Sequence, residues 1–275
     1  MNKYDIVFID IDDTLNPSNQ STTEKAKEVM KRLKDKGIKV VVNTGRGTKY
    51  AIEKSIEAGL SEYVISSNGA EVYNYHKRES IFEQSIPCDI VKEVYEYCNS
   101  LGLTLILNSL EKRFINIKDY KYNNDPVIYF EDIDEVLKNN VNQLVILSTN
   151  FDRMLVLPNI FQEKFPTLRV VHSSIGLIED RRTPGKEYYH DFVLSNTAKS
   201  TGIVELLDYL NIDSERAIAV GNGYDDICMC DVVGTSVAVG NANSILKESA
   251  TYIADTVEND GAVKMLEKLC LEETN

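Results

Sequence analysis

Apolar and polar positions change their period along the chain, and the change divides it into three parts. The run Ile6-Val7-Phe8-Ile9, bounded by polar residues, reads as a strand buried on both faces. The first third then alternates such runs with amphipathic stretches. The pattern predicts strands over Tyr4–Ile9, Ile38–Asn43 and Tyr63–Ser66, with helices over Thr22–Lys36 and Thr48–Ala58 between them. The last third resumes the rhythm. Helices are predicted over Ala198–Leu210, Tyr224–Cys230, a short stretch from Ser244, and Asp260–Cys270, separated by strands Ala217–Val220, Thr235–Val239 and Tyr252–Ala254. Continuously apolar strands alternating with helices predict an α/β fold, a doubly wound, Rossmann-like parallel sheet covered on both faces. Ligands in such folds bind at the carboxyl ends of the strands.

The middle of the chain breaks this rhythm. From about Ser85 to Leu194 the pattern predicts helix Asp89–Leu101, strands Thr104–Asn108 and Phe114–Ile117, and a polar Tyr/Asn-rich stretch over Lys118–Tyr129. Helix Ile133–Lys138, strand Gln143–Ser148, helix Asn159–Phe165 and further strands between Arg169 and Leu194 follow. Consecutive strands and hairpins predict an antiparallel α+β module. Pro87 and the Arg182–Lys186 turn around Pro184-Gly185 lie near its edges. The expected organisation is a core of residues 1–84 plus 195–275, with residues 85–194 inserted as a second domain.

Composition narrows the function classes. With 275 residues, 43% apolar and 27% charged, the chain can bury full cores and reads as an ordinary globular protein. A net charge of −13 argues against nucleic acid or an anionic membrane as partner, since both need a basic face. No run reaches the length of a membrane span and no signal segment is read, so a cytoplasmic location is expected. The five scattered cysteines (Cys88, Cys98, Cys228, Cys230, Cys270) are expected as reduced thiols. Cys228 and Cys230 stand two apart on a predicted helix and point apart, which argues against a shared metal.

Four stretches at predicted strand ends or helix starts carry the chemistry. The first is Asp10-Ile11-Asp12-Asp13-Thr14-Leu15. Side chains on a strand alternate between faces, so Asp10 and Asp12 are expected to lean the same way at its carboxyl end. Two carboxylates side by side suit a nucleophile, an acid/base and a hard divalent metal, or else an acidic turn that caps a helix. The second, Asn43-Thr44-Gly45-Arg46-Gly47, offers a hydroxyl and backbone N–H groups at a helix start, an anion site or an ordinary cap. It has neither the Walker nor the dinucleotide glycine spacing. The third, Asn196-Thr197-Ala198-Lys199-Ser200, puts a lysine in a first helical turn, where it opposes the macrodipole unless an anion sits there. A solvated surface lysine is the plainer alternative. The fourth, Val220-Gly221-Asn222-Gly223-Tyr224-Asp225-Asp226, places oxygen ligands at another strand end, as Mg²⁺ requires, or simply acids favoured at a helix start.

Taken together and in this order, the four stretches resemble the haloacid dehalogenase superfamily, and within it the Cof-like phosphatases with an inserted α/β cap. Asn68-Gly69-Ala70, Val239-Gly240-Asn241-Ala242 and Asn259-Asp260-Gly261-Ala262-Val263 are similar to that subfamily as well. The resemblance spans the whole chain. It implies Asp10 as nucleophile and Asp12 as acid/base, with Thr44, Gly45, Lys199 and Asp225 around the phosphoryl group. It implies Mg²⁺ as cofactor, held by Asp10, Asp12, Asn222 and Asp226, with Arg46 near the site. One departure stands out: the family's Gly-Asp-x-x-Asn-Asp has become Gly221-Asn222-Gly223-Tyr224-Asp225-Asp226, which exchanges an acid and an amide. The expected activity is Mg²⁺-dependent hydrolysis of small phosphorylated metabolites through an aspartyl-phosphate. The alternatives are phosphoryl transfer to a sugar hydroxyl, as in a phosphomutase, or binding of a phosphorylated ligand without turnover. The expected partner is a small phosphorylated metabolite, with cap residues such as Arg113, Lys118, Tyr120, Tyr122 and Arg153 reading it, and the chain is expected as a monomer or weak homodimer.

Overall fold

The structure is a computed structural model that describes residues 2–18, 20–110, 112–120, 126–171 and 185–272. Its two compact units comprise residues 1–82 with 198–275, and residues 83–197. Tyr122 and Arg182 to Pro184, named above, lie outside the described residues.

The first unit is built on an eight-stranded sheet. Its strands are β1 (Ile6–Ile9), β2 (Lys39–Asn43), β3 (Tyr63–Ser66), β4 (Glu71–Asn74), β5 (Glu79–Glu83), and, after the insertion, β12 (Ala217–Gly221), β13 (Thr235–Ala238) and β14 (Tyr252–Ile253). They lie in the order β14-β13-β12-β1-β2-β3-β4-β5. From β1 the chain winds outward through β2 and β3, and from β12 it winds the other way through β13 and β14. The β1/β12 seam is therefore the point where strand order reverses, the expected place for a ligand. Register fixes what meets there. Ile9 pairs with Val42 on β2 and with Val220 on β12, all in parallel. The residues one step beyond each strand thus gather at one edge.

Every residue of β1 is buried, because helices cover both faces. On one face Ile6 and Phe8 pack with Val41, Ile65, Ile203 and Leu206; burying each large apolar side chain stabilises by about 1.5–3 kcal/mol. The flanking helices are α1 (Glu24–Asp35), α2 (Thr48–Ala58), α6 (Lys199–Leu210), α8 (Ser244–Ser249) and α9 (Gly261–Cys270), with the single turn α7 (Ile227–Cys230) after the acidic loop. Helix α1 follows its sequence signals: Thr23 caps it by accepting from the Ala26 N–H, and Ala26, Val29, Met30 and Leu33 form the buried stripe.

Two strands of this sheet, β4 and β5, were not readable from the pattern. β4 runs antiparallel to β3, so the sheet is mixed rather than wholly parallel. Glu71 and Asn74 sit at its ends, which hides a strand that is nonetheless buried throughout. Burial of the Glu71 carboxylate is eased by the Ser80 hydroxyl, which donates to Oε1 at 2.7 Å.

The second unit holds α3 (Cys88–Ser100), β6 (Thr104–Asn108), β7 (Arg113–Ile115), β8 (Ile128–Tyr129), α4 (Ile133–Val136), β9 (Gln143–Ser148), α5 (Phe151–Lys164), β10 (Leu168–Val170) and β11 (Tyr188–Leu194). Its sheet order is β10-β11-β9-β6-β7-β8, antiparallel except for the β7/β8 pair. Val91, Val94 and Cys98 of α3 join Met154, Leu157 and Phe161 of α5 in its core with Leu105, Leu107, Leu144 and Ile146 of the sheet. The α+β expectation is met.

Helix α5 departs from the prediction, which starts a helix after Pro158. The helix begins two turns earlier, where the Asn150 side chain accepts from the Arg153 N–H, and it keeps Pro158 in its interior. Proline has no N–H for the Met154 carbonyl four residues back, which normally destabilises a helix by about 3 kcal/mol. Here His190 of β11 supplies the missing donor: its Nε2 lies 2.8 Å from the Met154 oxygen. That carbonyl accepts, so the ring carries its proton on Nε2. Among the described residues no helix is long and apolar enough to cross a membrane.

Candidate active site

Asp10 is the first residue past β1, and its N–H still donates to the Val220 oxygen at 3.0 Å, which anchors it at the seam. The residue is 5% exposed. The strand does not continue to Asp12. Instead the N–H groups of Thr14, Leu15 and Asn16 all turn back to the Ile11 oxygen, and Asp13 takes a left-handed φ of 59°. The alternation argument thus fails after Ile9, and the two acids have separate partners. Asp10 meets Lys199, whereas Asp12 accepts from Arg46 Nε at 3.0 Å and from the Tyr50 hydroxyl at 3.1 Å.

Lys199 is the first residue of α6 and is only 2% exposed. It is not the solvated lysine that its position would ordinarily suggest. Its Nζ lies 2.8 Å from Asp10 Oδ1, 2.9 Å from Asp225 Oδ2 and 2.6 Å from Asp226 Oδ1. Burial alone would lower the Lys199 pKa, but the three carboxylates overcome it and hold it well above the ordinary lysine range. The ammonium therefore stays charged, and the unfavourable place at a helix start is compensated by anions of the chain itself.

The acidic loop is built to present those anions. Asp226 is 1% exposed, and its Oδ2 accepts from the N–H groups of Asn222 and Gly223, each at 2.8 Å. Gly221 ends β12 without a side chain because a β-carbon there would stand 2.5 Å from the Asp226 carboxyl carbon. Asn222 is held by its backbone, its oxygen accepting from the Asn243 N–H at 3.1 Å and from Asn243 Nδ2 at 3.2 Å.

Three carboxylates around one ammonium leave a surplus of buried negative charge. Its consequence is visible at Asp10, whose pKa burial raises to about 8, with the charges of Asp226 and Asp225 adding to the rise and Lys199 opposing it. Asp226 is pushed up for the same reason, burial first. An all-oxygen, anion-rich set of this kind fits a hard divalent cation, which would return Asp10 to its ionised form at neutral pH. As arranged, the inner oxygens face Lys199, and among the described residues no group of three His, Cys, Asp or Glu is already set to hold a metal.

Thr44 and Gly45 follow β2. Thr44 is 1% exposed; its N–H donates to the Ile65 oxygen at 3.0 Å, and its hydroxyl oxygen accepts from the Arg46 N–H at 3.2 Å. Asn43 locks this loop to α6, donating from Nδ2 to the Lys199 oxygen at 3.1 Å. Asn68 is a residue that the sequence marks only as part of a family-like triplet. Its φ is 58°, its side chain is buried, and neither polar atom of the carboxamide has a partner. The amide oxygen lies 2.9 Å from the point that a β-carbon on Gly45 would occupy. The structure thus gathers Asp10, Lys199, Asp225 and Asp226 into one cluster. Arg46 and Tyr50 are attached to Asp12, and Tyr50 had no sequence signal because a tyrosine in a helix's first turn is unremarkable.

Three of the residues expected to read a ligand in the second unit have partners inside that unit. Arg113 Nε donates to Asn108 Oδ1 at 2.9 Å, Arg153 donates to the Leu101 oxygen at 2.6 Å, and the Tyr120 hydroxyl donates to Glu187.

Residues 7–266 match the family of haloacid dehalogenase-like hydrolases, and the chain belongs to it. It is 26% identical over 271 residues to a 5-amino-6-(5-phospho-D-ribitylamino)uracil phosphatase of Bacillus subtilis, covering 96% of both proteins. It is also 26% identical over 273 residues to a Streptococcus pyogenes protein whose name joins a phosphatase to a peptidyl-prolyl cis-trans isomerase. There it covers 98% of this chain but only 54% of the other, so the chain spans about half of that relative. Among solved structures, a haloacid dehalogenase-like hydrolase from Bacteroides thetaiotaomicron superposes with a TM-score of 0.84 at 23% identity, over 97% of this chain and 100% of that one. The chain is a hydrolase of the phosphatase type.

Proposed function

We propose that the chain hydrolyses small phosphate monoesters, with sugar phosphates and similar metabolites as the substrate class, through a phosphorylated Asp10. The observation that carries this reading is the buried Asp10–Lys199–Asp226 cluster at the β1/β12 seam, with Asp12 held apart from it. An Asp10 carboxylate oxygen attacks phosphorus while the ester P–O bond breaks, and the departing oxygen takes a proton from Asp12. Asp12, now ionised, accepts a proton from a water that attacks the aspartyl-phosphate, which frees Asp10 and inorganic phosphate. Thr44 and the Gly45 N–H sit beside the seam and suit the transferring oxygens, whose developing charge is the chief thing to stabilise. Lys199 holds Asp10 in line and keeps positive charge against it.

The residues that would hold Mg²⁺ are Asp10, the Asp12 carbonyl, Asn222 and Asp226, and the ion would supply charge that screens the phosphoryl group from the surrounding acids. The net charge of −13 makes such local compensation necessary for any anionic substrate. The enzyme is proposed as a cytoplasmic monomer or weak homodimer.

The test is phosphate release from a panel of sugar, polyol and nucleotide monophosphates, with water as sole acceptor, for wild type and Asp10→Asn. Asp10→Asn keeps the shape but replaces a nucleophile by an amide, so turnover should fall by at least about 10³-fold, a small part of the usual enzymatic acceleration. Release of phosphate by folded Asp10→Asn protein near the wild-type rate would defeat the mechanism. Product phosphate appearing only when a sugar acceptor is present would favour a phosphotransferase.

A further inference from the structure

Asp12 is gripped on both oxygens, and one of the two grips comes from a residue with no assigned part in the reaction. Arg46 Nε takes Oδ2 at 3.0 Å, and the Tyr50 hydroxyl takes Oδ1 at 3.1 Å. Tyr50 is the third residue of α2, so its donor rides on a helix rather than on a loop. The ring is itself fixed: the Arg46 guanidinium carbon lies 5.3 Å from its centroid and Lys54 Nζ lies 5.9 Å from it. Burial, helped by the negative charge of Asp12, raises the pKa of the phenol, so it remains a donor. An ionised carboxylate offers about four lone-pair positions. Two are taken here, which leaves room for a proton while the plane of the group stays set.

We propose that Tyr50 is a positioning residue for the reaction, orienting the Asp12 carboxyl so that its proton is delivered to the leaving oxygen as the P–O bond breaks. This rests on Asp12 being the acid/base of the proposed mechanism. A carboxyl held by Arg46 alone can swing about that single contact, and proton transfer needs heavy atoms about 2.6–3.2 Å apart. A tyrosine that merely covered the surface of α2 would leave the chemistry of the leaving group untouched.

The test separates orientation from general damage through the leaving group. p-Nitrophenyl phosphate and phenyl phosphate share a shape, but only the poorer leaving group, phenolate, needs substantial protonation to depart. The quantity to compare is kcat/KM, which reports the steps up to that departure. Tyr50→Phe keeps the ring and removes only the hydroxyl. It should lower kcat/KM for phenyl phosphate about 10-fold, a fraction of the 10²–10⁴-fold that a general acid supplies, and for p-nitrophenyl phosphate about 2-fold. In an Asp12→Asn background the same substitution should cost nothing further, because the group it orients no longer carries the proton. Equal losses on both esters, or a full additional loss in the Asp12→Asn background, would overturn the role of Tyr50 and leave the phosphatase reading intact. If Asp12→Asn cleaved both esters normally, the proposed acid/base role of Asp12 and this inference would fall together.

Discussion

Lys199 offers the sharpest test of how the core is held together, because one ammonium serves three buried carboxylates. Lys199→Met keeps most of the volume of the side chain and deletes the charge. Contacts of 2.6 to 2.9 Å to Asp226, Asp10 and Asp225 vanish at once. Direct attraction is not the right measure of the loss, since desolvation of the four groups largely offsets it. What decides the outcome is the residue left behind: several carboxylates buried without a counter-charge. Breaking a buried pair in this way costs about 3–5 kcal/mol. For a domain the size of the core, each kcal/mol shifts the melting temperature by about 2–4 °C, so Tm should drop by roughly 6–20 °C. The sign with pH follows from the carboxylates. Their folded pKa values, already raised at Asp10 and Asp226 with Lys199 present, rise further without it, so the folded variant binds more protons than its unfolded chain. Acidification therefore relieves the variant, and its deficit should be smaller at pH 5.5 than at pH 8. Scanning calorimetry of wild type and variant at both pH values, with and without millimolar Mg²⁺, reads all of this. The ion should raise the Tm of the variant more than that of wild type, since it binds the folded state where the unscreened acids are. A Tm within about 3 °C of wild type at pH 8 would mean that the cluster is not dominated by Lys199, contrary to its geometry.

Three further outcomes follow. If Asn222 stands where a charged metal ligand would be, initial rates should saturate at higher Mg²⁺ than in the Asn222→Asp/Asp225→Asn double variant, which restores the family's arrangement at constant net charge; an unchanged requirement would remove Asn222 from the metal shell. In the second unit, His190 is buried and its pKa is lowered by that burial, with the bond to Met154 opposing. The unfolded chain therefore binds its proton first as pH falls, and the unit should lose stability from about pH 6.5 downward, a loss that His190→Gln should flatten. The same histidine should matter less in Pro158→Ala protein, where position 158 regains an N–H for the Met154 carbonyl; equal costs in both backgrounds would refute the pairing.

Much of the core was legible because its strands are continuously apolar and its helices carry clean signals, as in Thr23 capping a stripe of Ala26, Val29, Met30 and Leu33. The misreadings have a common cause: tertiary partners override local pattern. Pro158 punctuates the sequence of α5, yet a histidine from a distant strand bonds the carbonyl that it abandons. Glu71 opens β4 with a charge, yet Ser80 bonds its carboxylate. The same limit governs the site. Asp10 and Lys199 were readable as candidates because each looks misplaced alone, an acid closing a buried strand and a cation opening a helix. That they meet across 189 positions is information that only the docking of α6 on the sheet supplies, where Asn43 at the end of β2 bonds the Lys199 carbonyl.

Asp12 and Tyr50 mark where local reasoning stops. Strand alternation would pair Asp12 with Asp10 and make a metal the natural account of both. The chain instead leaves the strand at Ile9, turns around the Ile11 carbonyl and gives Asp12 to Arg46 and Tyr50. The two acids thereby acquire different environments within one short loop. One is buried against a lysine with its pKa raised to about 8; the other is part-exposed between a guanidinium and a phenol. Two carboxylates in a single mechanism need separate surroundings, since a nucleophile and a proton carrier must not exchange parts; the raised pKa of Asp10 is the reverse of what a nucleophile needs until a cation offsets the surrounding acids. Here the separation is set by where β1 ends and by which first-turn side chain of α2 faces it.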